Sequence, residues 1–280
     1  MSAGLALSDI GLVAETTSEL SADHAVQVGA TLNTSSTPGR GEPLPLLWHW
    51  AYFTPTAASS ALGTDGHPVL PPGPVSAYPR RMWASGSVES TTPLVLGSPA
   101  TRVSSILSSK ETDGRSGALF IVRVEHRYRQ FDVDCVTEEQ TLVYRKPGPP
   151  TLLPAGDQRP EATEGQWTQR HTPDTKSLFR FSSITFNSHR IHYDEPYATG
   201  VEGYPALVVH GPLTALLVAE SIRSQFHRDL GYFEFRASAP LFADAPFTII
   251  GTPGAPITAR VVRNDGAEAM SVTAQLARPS

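Results

Sequence analysis

Side chains that can move protons or donate hydrogen bonds cluster between residues 187 and 192. Asn187, His189, Arg190 and His192 share this short stretch. The ordinary pKa of imidazole, near 6.5, lets it accept and return a proton close to neutral pH. Acid/base chemistry at His192 is therefore one interpretation of this segment. The alternative is that His192 is a hydrogen-bonded structural residue.

Asn187 lies five residues before His192. Its amide can orient water or bond a carbonyl oxygen, but it cannot take up a proton. It can also be a turn or helix-cap residue, since asparagine favours both.

A second feature is the run His210-Gly211-Pro212. Proline suits the first turn of a helix, and apolar residues follow on nearly every face, which predicts a buried helix. Backbone N–H groups at a helix start can stabilise negative charge on a carbonyl oxygen. Because Pro212 has no N–H, the donor would be Gly211 or a residue after the proline. Gly211 can alternatively serve only a tight turn.

Other residues admit competing interpretations. Arg80 and Arg81, beside Trp83, can bind a phosphate or a carboxylate, or can be surface charges. The aromatic stretch 44–53 can pack in the core or wall an acyl pocket. His189, His192 and His210 invite a zinc site, but no cysteine or carboxylate lies at a fitting spacing, so no metal or cofactor is expected.

These residues must be positioned by the surrounding secondary structure. The sequence predicts that this is an antiparallel sheet with few helices. Ser21 is a plausible N-cap for a helix ending near residue 32. Asp113-Gly114 and Asp265-Gly266 are hairpin turn signals. Strands are predicted at residues 81–89, 101–107, 118–131, 135–144, 232–238, 247–251, 257–264 and 270–277.

Composition limits the function classes. The net charge of −5 lacks the basic balance of a nucleic-acid-binding protein. The single cysteine, Cys135, excludes an intrachain disulfide and is expected to be a packed core thiol. No leader or membrane-spanning stretch is recognisable, so we expect a cytoplasmic protein without membrane partners.

Several motifs occur in order: Asp65-Gly66-His67-Pro68, the residues 79–83, the segment 181–194, and the residues 209–213. Together they resemble the MaoC-like hydratase/dehydratase family, and most closely its branch of mesaconyl-C4-CoA hydratases and type 2 hydroxyacyl-thioester dehydratases. The resemblance covers residues 40–280.

The resemblance implies an α+β double hot-dog fold, in which two fused repeats each wrap an antiparallel sheet around a helix. We expect a non-catalytic N-terminal repeat at 1–150 that walls the substrate pocket. A proline-rich linker at 151–170 and a catalytic repeat at 171–280 would follow.

The implied activity is reversible hydration of an enoyl thioester to a 3-hydroxyacyl thioester, carried by CoA or a carrier protein. His192, Asn187 and Gly211 are the expected catalytic residues, and no cofactor is implied. The expected substrate-binding residues are His189, Arg190, His210, Arg80, Arg81 and Trp83. A monomer or a homodimer is expected.

Phe186, Asn187, His189 and Arg190 depart from the family pattern, and the main departure is at Asn187. Asn187 stands where the family has a catalytic aspartate, which leaves His192 as the only obvious proton carrier. An acyl-thioester hydrolase and a non-catalytic thioester-binding protein therefore remain alternatives.

Overall fold

A computed structural model describes residues 13–69, 73–114, 117–148, 151–153, 156 and 160–278. Ten strands, paired with their neighbours in antiparallel fashion, form one sheet. In chain order they are β1 (Val13–Glu19), β2 (Arg80–Ser90), β3 (Pro99–Gly114), β4 (Gly117–Gln130), β5 (Val133–Arg145), β6 (Trp167–His171), β7 (Leu230–Ala237), β8 (Phe247–Thr252), β9 (Ile257–Arg263) and β10 (Glu268–Leu276). All eight predicted strands are confirmed, and β1 and β6 are additional.

The strand order repeats within the sheet. It runs β1-β3-β4-β5-β2 through the first half and β6-β8-β9-β10-β7 inward from the other edge. The two halves therefore have the same topology. They meet where β2 pairs with β7, with Ser85 opposite Arg236 and Glu89 opposite Tyr232.

Four α-helices accompany the sheet in the described residues: α1 (Ala22–Leu32), α2 (Thr175–Ile184), α3 (Glu195–Gly200) and α4 (Gly211–Phe226). The Ser21 side chain caps α1, as predicted. The sequence analysis did not predict α2, although Asp174 and Ser177 form a reciprocal capping box at its start. The apolar residues of α2 are outnumbered by polar ones, which hid its helical pattern.

Helix α4 is the central buried element. Leu213, Ala215, Val218, Ala219 and Ile222 are each at most 2% exposed. Burial on several faces follows from the apolar run after Pro212 and confirms the predicted buried helix. Cys135 is also buried, as expected. No helix in the described part of the chain is both long and apolar enough to cross a membrane.

The predicted linker at 151–170 is shorter in the structure, because β6 begins at Trp167. Residues 154–155 and 157–159 of that linker lie outside the described residues. The hairpin predicted at Asp265-Gly266 is confirmed: the Gly266 N–H donates to the Arg263 carbonyl at 3.0 Å, between β9 and β10.

Candidate active site

A cavity of about 370 Å³ lies between the two halves. The C-terminal half contributes part of its wall, including predicted site residues: Asn187, His189, His192, His210 and Gly211. The N-terminal half contributes the rest, including Arg81 and Trp83. Seven of the nine predicted site residues thus surround one space.

His192 lies at the inner end of the segment 187–192, in a short 3-10 turn, and is 8% exposed. Its Nδ1 lies 2.7 Å from the carbonyl oxygen of Val208. Because a carbonyl oxygen only accepts, Nδ1 carries the hydrogen, and the neutral ring keeps a lone pair on Nε2. Burial lowers the pKa of His192 to about 4, although its bond to Val208 opposes the shift. His192 is therefore a neutral base near pH 7.

His210 packs against this base. Their ring centroids are 3.6 Å apart, with an angle of 21° between the rings. The Nε2 of His210 lies 2.9 Å from Ser182 Oγ, while its Nδ1 is buried with no partner among the described residues. Burial holds the pKa of His210 well below its ordinary value. The stack therefore restricts rotation of His192 without adding a charge.

The turn after α2 positions Asn187. Phe186 has a positive φ of 50°, which reverses the chain, and the Asn187 N–H then donates to the Ser182 carbonyl at 2.8 Å. Asn187 Oδ1 accepts the N–H of His189 at 3.0 Å. The carboxamide oxygen is thus engaged with the backbone, which leaves the NH2 group as the donor available to a ligand.

The start of α4 forms another part of the wall. Gly211 is its first residue, so its N–H has no acceptor within the helix. A Cβ on Gly211 would lie 2.9 Å from Cε3 of Trp83. Trp83 stacks on Phe235 with ring centroids 3.8 Å apart. Glycine therefore allows the helix terminus and the indole to approach each other at the cavity.

Two arginines line the cavity from neighbouring strands, Arg81 of β2 and Arg145 of β5. Arg145 Nε is buried without a partner among the described residues. Within the described part of the chain, neither arginine forms an ion pair with a carboxylate. The cavity thus carries positive charge that a bound anion can neutralise. Arg145 was not predicted from the sequence, because it lies far from Arg81 in the chain and reaches β2 only through strand pairing, where it is opposite Arg80.

Arg80 and Arg190 are placed differently from the prediction. Neither is among the described residues that line the cavity. Arg80 Nε pairs with Glu202 at 2.9 Å, and Arg190 binds Asp194 at 2.7 Å while its guanidinium carbon lies 4.0 Å from the ring centroid of Tyr197. Both arginines therefore hold together the chain segments around the cavity.

A pair of residues to which the sequence analysis gave no role also reaches the cavity. His67 lines it, and His67 Nδ1 lies 3.1 Å from Asp65 Oδ2. The His67 ring is 4.0 Å from that of His189, which in turn is 5.3 Å from that of His192. Asp65, His67 and His189 can also place one ligand atom each within 4.8 Å of one another, so this group could hold a metal ion.

The family model described as hydroxyacyl-thioester dehydratase type 2 matches residues 47–243. The chain is 43% identical to the mesaconyl-C(4)-CoA hydratase of Chloroflexus aurantiacus over 273 residues, which cover 95% of this chain and 96% of that protein. The family-model match includes all the predicted site residues of both halves.

Solved structures show the same architecture. A MaoC-like dehydratase from Phytophthora capsici superposes with a TM-score of 0.70 at 14% identity, covering 98% of each chain. A Mycobacterium tuberculosis protein described as a double hot-dog has a TM-score of 0.61 at 10% identity, covering 96% of each chain. Together with the repeated strand order, these similarities confirm the predicted double hot-dog fold.

Proposed function

The chain belongs to the hydroxyacyl-thioester dehydratase type 2 family, and on this premise we propose that it is a hydro-lyase that reversibly adds water to an enoyl thioester. The single observation that carries the proposal is the bond from His192 Nδ1 to the Val208 carbonyl, 2.7 Å long. This bond fixes an unprotonated Nε2 in a cavity that also holds a helix N-terminus.

In the proposed hydration, His192 Nε2 takes a proton from water as the water oxygen bonds to the β-carbon. The π electrons of the C=C bond move toward the thioester carbonyl, whose oxygen gains negative charge. The N–H of Gly211 and the N-terminus of α4 stabilise that oxygen. Protonated His192 then gives its proton to the α-carbon, which restores the neutral base. Dehydration is the reverse sequence.

Asn187 supports this chemistry as a hydrogen-bond donor. Its Oδ1 already accepts the His189 N–H, so its NH2 group is assigned to the substrate or to the product hydroxyl. Asn187 does not carry a proton in this scheme. That distinguishes it from the aspartate in the family pattern.

We further propose that the acyl group carries a second carboxylate, as in a mesaconyl thioester. The support is the presence in the wall of Arg81 and Arg145, which have no carboxylate partner among the described residues, together with the 43% identity to the Chloroflexus relative. Guanidinium groups bind carboxylates in bidentate geometry, whereas a plain fatty acyl chain offers them no partner. Trp83 supplies an apolar surface beside the reacting carbons, and CoA is the proposed carrier.

A thioester hydrolase is the competing assignment. Hot-dog hydrolases usually use a carboxylate or a polar residue near the helix, and no aspartate or glutamate is among the described residues of the cavity wall. The wall therefore favours water addition to carbon over attack at the thioester carbonyl.

The test is an incubation of the purified protein with a panel of enoyl-CoA esters, including mesaconyl-C4-CoA and crotonyl-CoA. Mass spectrometry would follow the gain of one water, and a thiol reagent would follow release of CoA. We expect the wild type to add water to the dicarboxylic ester. The hydration rate of His192→Ala should be at least about 100-fold lower than that of the wild type. Thiol release without water gain would contradict the proposal.

A further inference from the structure

His67 occupies an unusual place between two cavities. A second cavity, of about 360 Å³, adjoins the first. Of the described residues, His67 and Asn187 are the two that line both. These two residues therefore lie where the two cavities meet.

The carboxylate of Asp65 fixes the orientation of the His67 ring. Asp65 Oδ1 accepts the His67 backbone N–H at 3.0 Å, and Asp65 Oδ2 accepts from Nδ1 at 3.1 Å. The carboxylate only accepts, so Nδ1 carries the hydrogen and Nε2 keeps the lone pair. His67 therefore has the same tautomer as His192, although the partner at Nδ1 differs.

The loop that carries His67 is clamped to the segment 187–192 by contacts that do not use the Asp65 carboxylate. Ser188 Oγ donates to the Gly66 carbonyl at 2.6 Å, and the Arg190 N–H donates to the Asp65 carbonyl at 2.8 Å. Gly66 has a φ of 88°, and a Cβ there would lie 1.8 Å from the Ser188 carbonyl oxygen. The backbone thus docks the loop, which leaves the carboxylate to orient the imidazole.

The attacking water has two O–H bonds, whereas the proposed mechanism gives it one acceptor, His192 Nε2. Asn187 Oδ1 already accepts the His189 N–H, which leaves that oxygen one lone pair for a further donor. The described residues of the wall include no carboxylate. His67 also lies in this wall, and its bond from Nδ1 to Asp65 leaves an oriented lone pair on Nε2.

We propose that His67, oriented by Asp65, is a second catalytic residue that accepts the other O–H of the attacking water. As the C–O bond forms, the proton facing His192 moves to Nε2 and then to the α-carbon. The hydrogen facing His67 stays on oxygen and becomes that of the product hydroxyl. His67 does not change its protonation state. This proposal rests on the proposed function of the same cavity.

The test compares hydration kinetics of mesaconyl-C4-CoA for wild type, His67→Ala, His67→Gln and Asp65→Asn. We expect His67→Ala to lower kcat about 100-fold, and His67→Gln to recover part of it because its amide oxygen still accepts. In Asp65→Asn, the new amide NH2 group can donate to His67 Nδ1. This favours the tautomer with hydrogen on Nε2, which cannot accept from the water, so kcat should fall with little change in KM.

Asp265→Asn is the matched control. Asp265 also precedes a glycine and also accepts the N–H two residues later, at 3.1 Å, in the turn between β9 and β10. It is not among the described residues of the cavity wall, and its substitution should leave kcat within about twofold. Unchanged melting temperatures of the Asp65 and His67 variants would separate a catalytic loss from unfolding.

Three outcomes would overturn the inference. Wild-type rates in both Asp65→Asn and His67→Ala would remove His67 from the reaction and leave the proposed function intact. Activity that EDTA abolishes and Zn²⁺ restores would make Asp65, His67 and His189 metal ligands instead. A wild-type protein that adds no water to any ester of the panel would refute the proposed function, and this inference with it.

Discussion

At the scale of single residues, burial decides the chemistry of His192. Burial lowers its pKa to about 4, so the imidazole remains neutral well below the pH at which an exposed histidine is protonated. The surrounding imidazoles of His67, His189 and His210 have lowered pKa values for the same leading reason. The cavity therefore contains neutral bases near pH 7, and its positive charge comes from arginine.

This arrangement predicts a flat pH profile. A histidine with an ordinary pKa would be only about one-tenth neutral at about pH 5.5, whereas one with a pKa of about 4 stays almost fully neutral. We expect kcat/KM for hydration to change less than about twofold between about pH 8 and about pH 5.5. A tenfold fall centred near pH 6.5, reversible on return to pH 8, would show that the catalytic base is not His192 in this environment.

The sequence alone predicted the segment that carries the proposed base, but not the other cavity residues that lie far from it in the chain. His192, Asn187 and Gly211 lie in motifs that are contiguous in the chain. Arg80 and Arg81 are neighbours on one strand, whose side chains alternate between faces, and the weak alternation of β2 did not show which one faces the cavity. His67 and Arg145 reach the cavity only through contacts between distant parts of the chain.

At the scale of elements, the approach of α4 to β2 shapes the cavity. Trp83 contacts this helix start and is fixed by the rings of Phe235 and Trp50, whose centroids lie 3.8 Å and 5.3 Å from its own. Because the indole is held on these sides, an added methyl group at Gly211 cannot be accommodated by a simple rotation of Trp83.

Gly211→Ala should therefore lower both the stability and the activity of the protein. Its Cβ would lie 2.9 Å from the indole, so we expect a loss of about 1–3 kcal/mol in unfolding free energy and at least a tenfold fall in kcat/KM. Urea unfolding and steady-state kinetics measure the two effects. Gly200→Ala is the matched control: a Cβ at this position, at the end of α3, would meet no described atom within 4 Å, so neither quantity should change. Equal behaviour of the two variants would contradict the close packing of α4 on Trp83.

The strands were predictable because their alternation and turn residues are local signals. Helix α2 was missed because its stability comes largely from its capping box and from burial of Leu178 and Phe181. The edge strands β1 and β6 were missed too. They are short, and each lies at one end of the sheet, paired on one side only.

At the scale of the whole molecule, two repeats of equal topology share one sheet and enclose one reaction cavity. Their junction is the β2–β7 pair, whose register no local pattern in the sequence specifies. The repeats differ in their helices: a long buried helix, α4, precedes β7, whereas short 3-10 turns precede β2 in the described chain. This asymmetry accounts for placement of the proposed base in the second repeat.

Neutral histidines that are wholly or partly buried also make the folded state sensitive to acid. Burial lowers the pKa of His126 and of His192 to about 4, against an ordinary 6.5 in the unfolded chain. Between these values the unfolded state binds more protons, so stability is present above pH 6.5 and is lost as pH falls toward 4. Each histidine should then cost about 2 kcal/mol at about pH 5.

We therefore expect the urea-derived free energy of unfolding to fall by at least about 4 kcal/mol from about pH 7.5 to about pH 5, because the lowered pKa values of His67, His171, His189 and His210 act in the same direction. His126→Gln should remove about 2 kcal/mol of that fall, and His126 lies outside the described cavity wall. A free energy of unfolding that is constant or rises over this interval would refute the assignment of these imidazoles as neutral in the folded protein.

We propose that this cavity adds water across the double bond of a dicarboxylic enoyl thioester, with His192 as the base. The most direct measurement is the initial rate of water gain by mesaconyl-C4-CoA, followed by mass spectrometry for wild type and His192→Ala side by side. We expect rapid conversion to the hydroxyacyl thioester by the wild type and a rate at least about 100-fold lower for the variant. Equal rates for the two proteins, or no water gain by the wild type, would contradict it.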